Sequence, residues 1–185
     1  GKGGEYPEHL EARKATKTGF PVLLRPVRIS DEPLLKEFFY SLSDQSMYRR
    51  FMTPTLSMPH ERLQEYVVID YTKEMIILAV VEEGQKNEAV GIGEYYLEDD
   101  GIRANVAFAV RDSYQNRGVG TELLAYLVQI ARKQGLLGFT AEVLKENEPM
   151  LRVFEKLKLP TERVTEGDSY RLRVSFAAPG GRRDA

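Results

Sequence analysis

The chain has no cysteine, which excludes a disulfide framework, a thiolate metal site and any step that uses a cysteine nucleophile. It has two histidines, His9 and His60, far apart in sequence; that is too sparse for a histidine-ligated catalytic zinc unless carboxylates do most of the work, and no metal is expected. No sign of charge dominates. Against 28 Asp and Glu stand 26 Lys and Arg, a net charge of −2, so no global field draws the chain onto nucleic acid or anionic lipid. An apolar run of membrane-spanning length and a signal peptide are also missing. These absences lead us to expect a soluble, cytoplasmic protein with no nucleic-acid or membrane partner. What is present is ordinary for one folded domain: 185 residues, 42% hydrophobic, 29% charged and 10% aromatic.

Residues 1–19 are rich in glycine and charge and show no clear apolar period, so they read as an N-terminal extension, with Gly1-Lys2-Gly3-Gly4 a cloning remnant. Residues 178–185 read as a disordered tail. Between them lies no linker, repeat or low-complexity block, and a single domain is expected over 20–177.

Residues 22–29 (VLLRPVRI) predict a strand, and Ser30-Asp31-Glu32-Pro33 a helix start, with acids at the positive end of the helix dipole. Leu34, Leu35, Phe38, Phe39 and Leu42 continue at helical spacing; further helical stretches cover 44–51 and 59–67. The apolar run 75–81 (MIILAVV) predicts a buried strand. Residues 89–97 and 102–110 flank Glu98-Asp99-Asp100-Gly101 and predict a β-hairpin. A long amphipathic helix follows over 121–133, then a strand at 138–144, a helix at 148–157 and strand-like segments at 163–164 and 170–176. The order implies a mixed α/β sheet with two late helical crossovers.

Chemistry concentrates in 111–121 (RDSYQNRGVGT), between a strand and the longest helix. Gly118 and Gly120 let the backbone turn tightly and leave no Cβ in the way of a ligand. The first amides of the helix, from about Val119, have no intrahelical acceptor and suit a pyrophosphate, with the charge of Arg117 beside them. Two other readings exist: glycines that only shape a strand-to-helix loop, and a dinucleotide fingerprint with Glu142 as the acid about 20 residues on. Leu123 at the third glycine position and the long charged loop argue against the fingerprint.

Gln115, Gly118 and Gly120 match the acetyl-CoA-binding pattern of the GNAT acetyltransferase superfamily, which residues 110–121 closely resemble. Leu24-Arg25-Pro26-Val27-Arg28 with Asp31, and 147–159 (NEPMLRVFEKLKL), are similar to its opening strand and late helix. Tyr6-Pro7, His9-Leu10, Leu42-Ser43 and Tyr48-Arg49-Arg50-Phe51-Met52 resemble, more narrowly, the Pat-type protein lysine acetyltransferases that act on acyl-CoA synthetases. The resemblance implies a mixed, mostly antiparallel central sheet flanked by helices and splayed between the fourth and fifth predicted strands. It implies acetyl-CoA as co-substrate, bound by Gln115, Asn116, Arg117, Gly118, Val119, Gly120 and Thr121. The backbone of Phe108 and Val110 would pair with the pantetheine arm and polarise the thioester carbonyl, and Asn147 would touch the arm from the late helix. Asn147 also reads as the N-cap of that helix, before Glu148-Pro149.

An acceptor lysine near its ordinary pKa of about 10.4 must lose a proton, at about 4–5 kcal/mol if unaided at neutral pH. Relatives of the Pat type carry a glutamate base early in the fourth strand, and the matching position here is Asn105, an amide. If the hairpin closes symmetrically about Asp99-Asp100, Glu94 lies directly across from Asn105 on the same face and could supply the carboxylate. A bulge or register shift would flip it away, leaving a solvated residue. Phe154 occupies the place of the family's general-acid tyrosine. With no cysteine to carry an acyl group, direct transfer in a ternary complex to a primary amine is expected, and the resemblance implies a protein lysine as the favoured acceptor. A small-molecule amine acetyltransferase and a non-catalytic acyl-CoA-sensing module stay open beside it.

Overall fold

A computed structural model describes residues 5–53 and 57–177, so the expectations for Gly1 to Gly4 and for 178–185 lie outside the described residues. Along the chain come β1 (Ala12–Ala15), β2 (Pro21–Pro26), α1 (Glu32–Ser41), α2 (Asp44–Phe51), α3 (His60–Val67) and β3 (Glu74–Glu83). Then follow β4 (Lys86–Leu97), β5 (Arg103–Val110), α4 (Val119–Lys133), β6 (Gly138–Leu144), α5 (Glu148–Lys156), β7 (Thr161–Glu166) and β8 (Ser169–Ser175). The described strands form one sheet in the order β1-β2-β3-β4-β5-β6-β8-β7, antiparallel except for β5 and β6. β1 lies inside the segment where no apolar period is visible, because only alternate residues of Ala-Arg-Lys-Ala are even half-buried.

The apolar run of β3 is buried on both faces of the sheet. On one side Ile76, Leu78 and Val80 pack with Leu35, Phe38, Leu63 and Val67 of α1 and α3. On the other, Ile77 and Ala79 join Tyr95, Phe108 and the inner face of α4. Burying side chains such as Leu35, Phe38, Leu123 and Leu127 stabilises the fold by about 1.5–3 kcal/mol each. α4 lies close against β4: a Cβ on Gly93 would come within 2.9 Å of the Leu127 Cδ1. Before α1, the buried Asp31 accepts two hydrogen bonds of 2.7 Å from Arg25, which fastens β2 to the entry of the helical layer.

The β4–β5 hairpin departs from the symmetric register: Glu94 faces Ala107, and Asn105 faces Tyr96. The turn is centred one residue later than expected, on Asp100-Gly101. Glu98 N–H donates to Arg103 O at 2.9 Å, and the Asp100 carboxylate accepts from the amides of Ile102 and Arg103. A shift of two residues keeps the face, so Glu94 and Asn105 become diagonal neighbours on one side of the sheet.

β5 and β6 pair only over Arg103–Gly138, Ala104–Phe139 and Asn105–Thr140, then part. This is the expected splay; counting β1, it falls between the fifth and sixth strands. On the α4 side the fork is filled by the rings of Phe108 and Phe154, 5.8 Å apart. Phe154 is thereby largely buried in the fork, where its ring also borders a small cavity of about 30 Å³.

Candidate active site

The fork leads to the N-terminus of α4. Glu98 N–H and Arg111 N–H bond Arg103 O and Val90 O, so odd-numbered residues of β5 turn their backbone groups toward β4. The even-numbered Phe108 and Val110 turn theirs to the open side, beyond the last residues paired with β6. Val110 O already accepts from Gln115 Nε2 at 3.0 Å, and Gln115 also donates to Ser46 Oγ at 3.1 Å. Gln115 therefore ties the loop to β5 and α2.

The loop turns through Asn116 (φ 62°) and Gly118 (φ 91°) into α4, whose first residue is Val119. Glu122 N–H is taken by Gly118 O, leaving the amides of Val119, Gly120 and Thr121 at the open helix end. The Arg117 guanidinium stacks over Phe20 and Tyr114, 4.5 and 4.8 Å from the ring centroids. A cleft of about 290 Å³ runs from here to α5. Phe108, Val110, Gln115, Asn116, Arg117, Gly118, Gly120, Thr121 and Asn147 all line it, whereas Val119 turns its side chain into the core. Asn147 is the N-cap of α5: its Oδ1 accepts from Met150 N–H at 3.3 Å.

Several cleft residues were not foreseen. Lys17 comes from the segment set aside as an extension, and Arg152 and Lys156 from α5; Arg49 and Arg50 of α2, named in the Pat-type string, line the cleft as well. The i, i+4 spacing of Arg152 and Lys156 on one helix face was the signal available. Arg132 and Lys145 lie outside the cleft lining, against the rings of Phe176 and Tyr170. Tyr114 is the tyrosine on the cleft wall. No group of three or more His, Asp or Glu suited to a metal occurs among the described residues.

On the other face of the fork, Glu94 is engaged through Oε1 by the guanidinium of Arg50; both side chains are largely buried. Burial, reinforced by the charge of Glu94, pushes the Tyr66 hydroxyl up to about 12, so Tyr66 stays protonated near neutrality. Asn105 Nδ2 donates to Thr140 Oγ1 at 3.2 Å, and Thr140 donates in turn to Glu98 Oε1. The hydroxyl gives its proton to a carboxylate and accepts from the amide, so Asn105 turns Nδ2 toward Thr140 and Oδ1 away from it. The structure thus brings a second carboxylate, Glu98, to the neighbourhood of Asn105.

A family model for the acetyltransferase (GNAT) domain matches residues 22–159. Acetyltransferase Pat of Mycolicibacterium smegmatis is 31% identical over 143 residues, which are 76% of this chain and 42% of that protein. Acetyltransferase PA5475 of Pseudomonas aeruginosa is 29% identical over 117 residues, 63% of each chain. The chain thus spans less than two thirds of the length of either relative. The crystal structure of the GNAT domain of S. lividans PAT superposes with a TM-score of 0.81 at 30% identity, over 93% of this chain and 100% of that one. With its strand fork, its glycine-turned helix start and a family match over most of its length, the chain belongs to the GNAT acetyltransferase family.

Proposed function

We propose that this domain works in the cytoplasm as an acetyl-CoA-dependent N-acyltransferase, with the side-chain amine of a protein lysine as acceptor and an acyl-CoA synthetase as the first protein to test. The observation that carries the reading is the continuous cleft from the open amides of α4 to the β5–β6 fork, lined by cations from four separate segments. Similarity to acetyltransferase Pat supports the choice of acceptor.

The residues fit an acyl-CoA. Gly118 and Gly120 keep the helix start clear of side chains, Val119, Gly120 and Thr121 offer amides, and Lys17, Arg117, Arg152 and Lys156 offer positive charge for the phosphates. Gln115 and Asn116 shape the loop that holds these groups. Phe108 and Val110 present backbone groups along the path of an extended arm, with Asn147 on its far side. When bound, the thioester supplies an activated acetyl carbon. Transfer is direct within a ternary complex: the amine nitrogen forms the C–N bond, and the C–S bond breaks with its electron pair on sulfur.

On the acceptor side, Asn105 Oδ1 accepts a hydrogen bond from the amine and orients its lone pair, and Glu94 takes the proton. A Glu94→Gln variant should then lose turnover most at the acid end of the range, and unchanged turnover from about pH 6 to 9 would remove this role.

A second reading is favoured by one specific pair of observations: an amide stands at position 105, and the buried Phe154 stands where a general acid is expected. It describes a module that binds acyl-CoA and signals without transfer. Labelled acetyl-CoA incubated with a synthetase and with a panel of small amines separates the readings. Label on a synthetase lysine supports ours, label on a small amine moves the acceptor class, and tight binding with no transfer supports the sensor.

A further inference from the structure

Arg49 stands where the cleft narrows into the fork. It lines both the large cleft and a smaller cavity of about 30 Å³ that shares Arg50, Phe108 and Asn147 with it. This cavity reaches between Val106 and Ala107 of β5 and Ala141 and Val143 of β6, so it continues the cleft inward. The two adjacent arginines differ in how their charge is met. Arg50 is paired with Glu94. Arg49 has no ion-pair partner among the described residues: its Nη2 makes one long bond, 3.4 Å, to Glu146 O, and its buried Nε has no hydrogen-bond partner. Glu142 borders the same cavity but is exposed.

A buried guanidinium N–H without an acceptor is unfavourable, and a carboxylate satisfies it by charge and by its two-pronged geometry. We propose that the acyl pocket accepts short acyl groups that end in a carboxylate, of malonyl or succinyl size, as their CoA thioesters, with Arg49 binding the carboxylate. This rests on the acyl-CoA reading given above and names the donor class. The cavity, about 30 Å³, adjoins the larger cleft through Arg49, Phe108 and Asn147, so a short tail can reach it from the thioester side while a long acyl chain cannot be housed there. Transfer is balanced as for acetyl. The amine nitrogen bonds the acyl carbon, sulfur departs with the C–S electron pair and is protonated to the thiol by the proton the amine gives up, and the distal carboxylate passes through unchanged.

Calorimetric titration of the full chain with acetyl-CoA, malonyl-CoA and succinyl-CoA tests this, together with mass spectrometry of a lysine acceptor after incubation with each donor. The unaltered protein should bind one of the dicarboxylic thioesters about tenfold more tightly than acetyl-CoA and should transfer that group. Arg49→Met should erase the margin, and Arg49→Lys should keep part of it. If both dicarboxylic thioesters bind no better than acetyl-CoA to the unaltered protein, the proposal is overturned whatever the variants do. It is also overturned if Arg49→Met weakens all three donors equally, because Arg49 would then serve the part of CoA they share. Failure of every thioester to bind, acetyl-CoA included, removes the acyl-CoA reading as well.

Discussion

Asn105 and Thr140 form the last residue pair that β5 and β6 share before they part, and a 3.2 Å hydrogen bond from amide to hydroxyl joins them at the fork. Because Thr140 gives its own proton to Glu98, the amide is held with Oδ1 turned away from Thr140. Replacing Thr140 with Val removes the acceptor that fixes this orientation. The acceptor KM should rise about three- to tenfold while the acetyl-CoA Kd stays within about twofold. An equal loss in acetyl-CoA affinity would mean that Thr140 serves to hold the strands rather than to orient Asn105.

Gly118 has φ of 91°, and a Cβ there would stand 3.2 Å from the backbone nitrogen of Lys17. Gly118→Ala combines a left-handed backbone with a tight contact and should cost about 1–2 kcal/mol of stability. It also disturbs the amides that follow, so acetyl-CoA affinity should fall with it. Thermal melting and calorimetry on the same sample check both effects. A variant with native Tm and native affinity would contradict the geometry described for this loop.

The Arg25–Asp31 pair is buried, with side chains 7% and 6% exposed. Asp31 also accepts the Arg28 amide at 2.8 Å. Arg25→Met leaves a buried carboxylate short of its main partner and should lower stability by about 3–5 kcal/mol, read as a fall in the urea midpoint. A loss below about 1 kcal/mol would show that water reaches Asp31 and replaces the guanidinium.

Asp112 binds α2 to the loop after β5, accepting from Ser43 N–H at 3.0 Å, Ser43 Oγ at 2.7 Å and Ser46 Oγ at 3.0 Å. Partial burial acts to raise its pKa, but the serine hydrogen bonds prevail and hold the carboxyl below its ordinary value. These bonds favour the ionised form. Their stabilisation is therefore complete above the unfolded-state value of about 3.9 and is lost as pH falls through the lower folded value. Asp112→Asn should melt lower than the unaltered protein at neutral pH and by a smaller margin below about pH 4. A constant margin across that range would contradict the assignment.

Much of the fold was legible because long segments carry a single strong period. The run MIILAVV of β3, the apolar stripe of α4 and the turn residues before β5 each predict the element observed. The glycine-turned helix start was legible too, since Gly118 adopts a backbone conformation that side chains disfavour. Failures came where tertiary partners decide. β1 has too few apolar residues to declare itself and is held by pairing with β2. The hairpin register depends on Asp100 capturing two amides, a local bond that a symmetric reading of Asp99-Asp100 misses. Arg49, Glu98 and Thr140 are polar residues of common type on unrelated elements. Glu98, just past β4, and Thr140 of β6 meet across β5 only in the fold, and Arg49 reaches the cavity at the fork from α2.

The most direct test follows backbone amides of nitrogen-labelled protein by NMR during a coenzyme A titration. The account predicts saturable shifts that are largest at Val119, Gly120 and Thr121, with smaller ones at Phe108 and Val110. Shifts centred on another part of the sheet, or no change at any of these five amides when ligand is in excess, would contradict it.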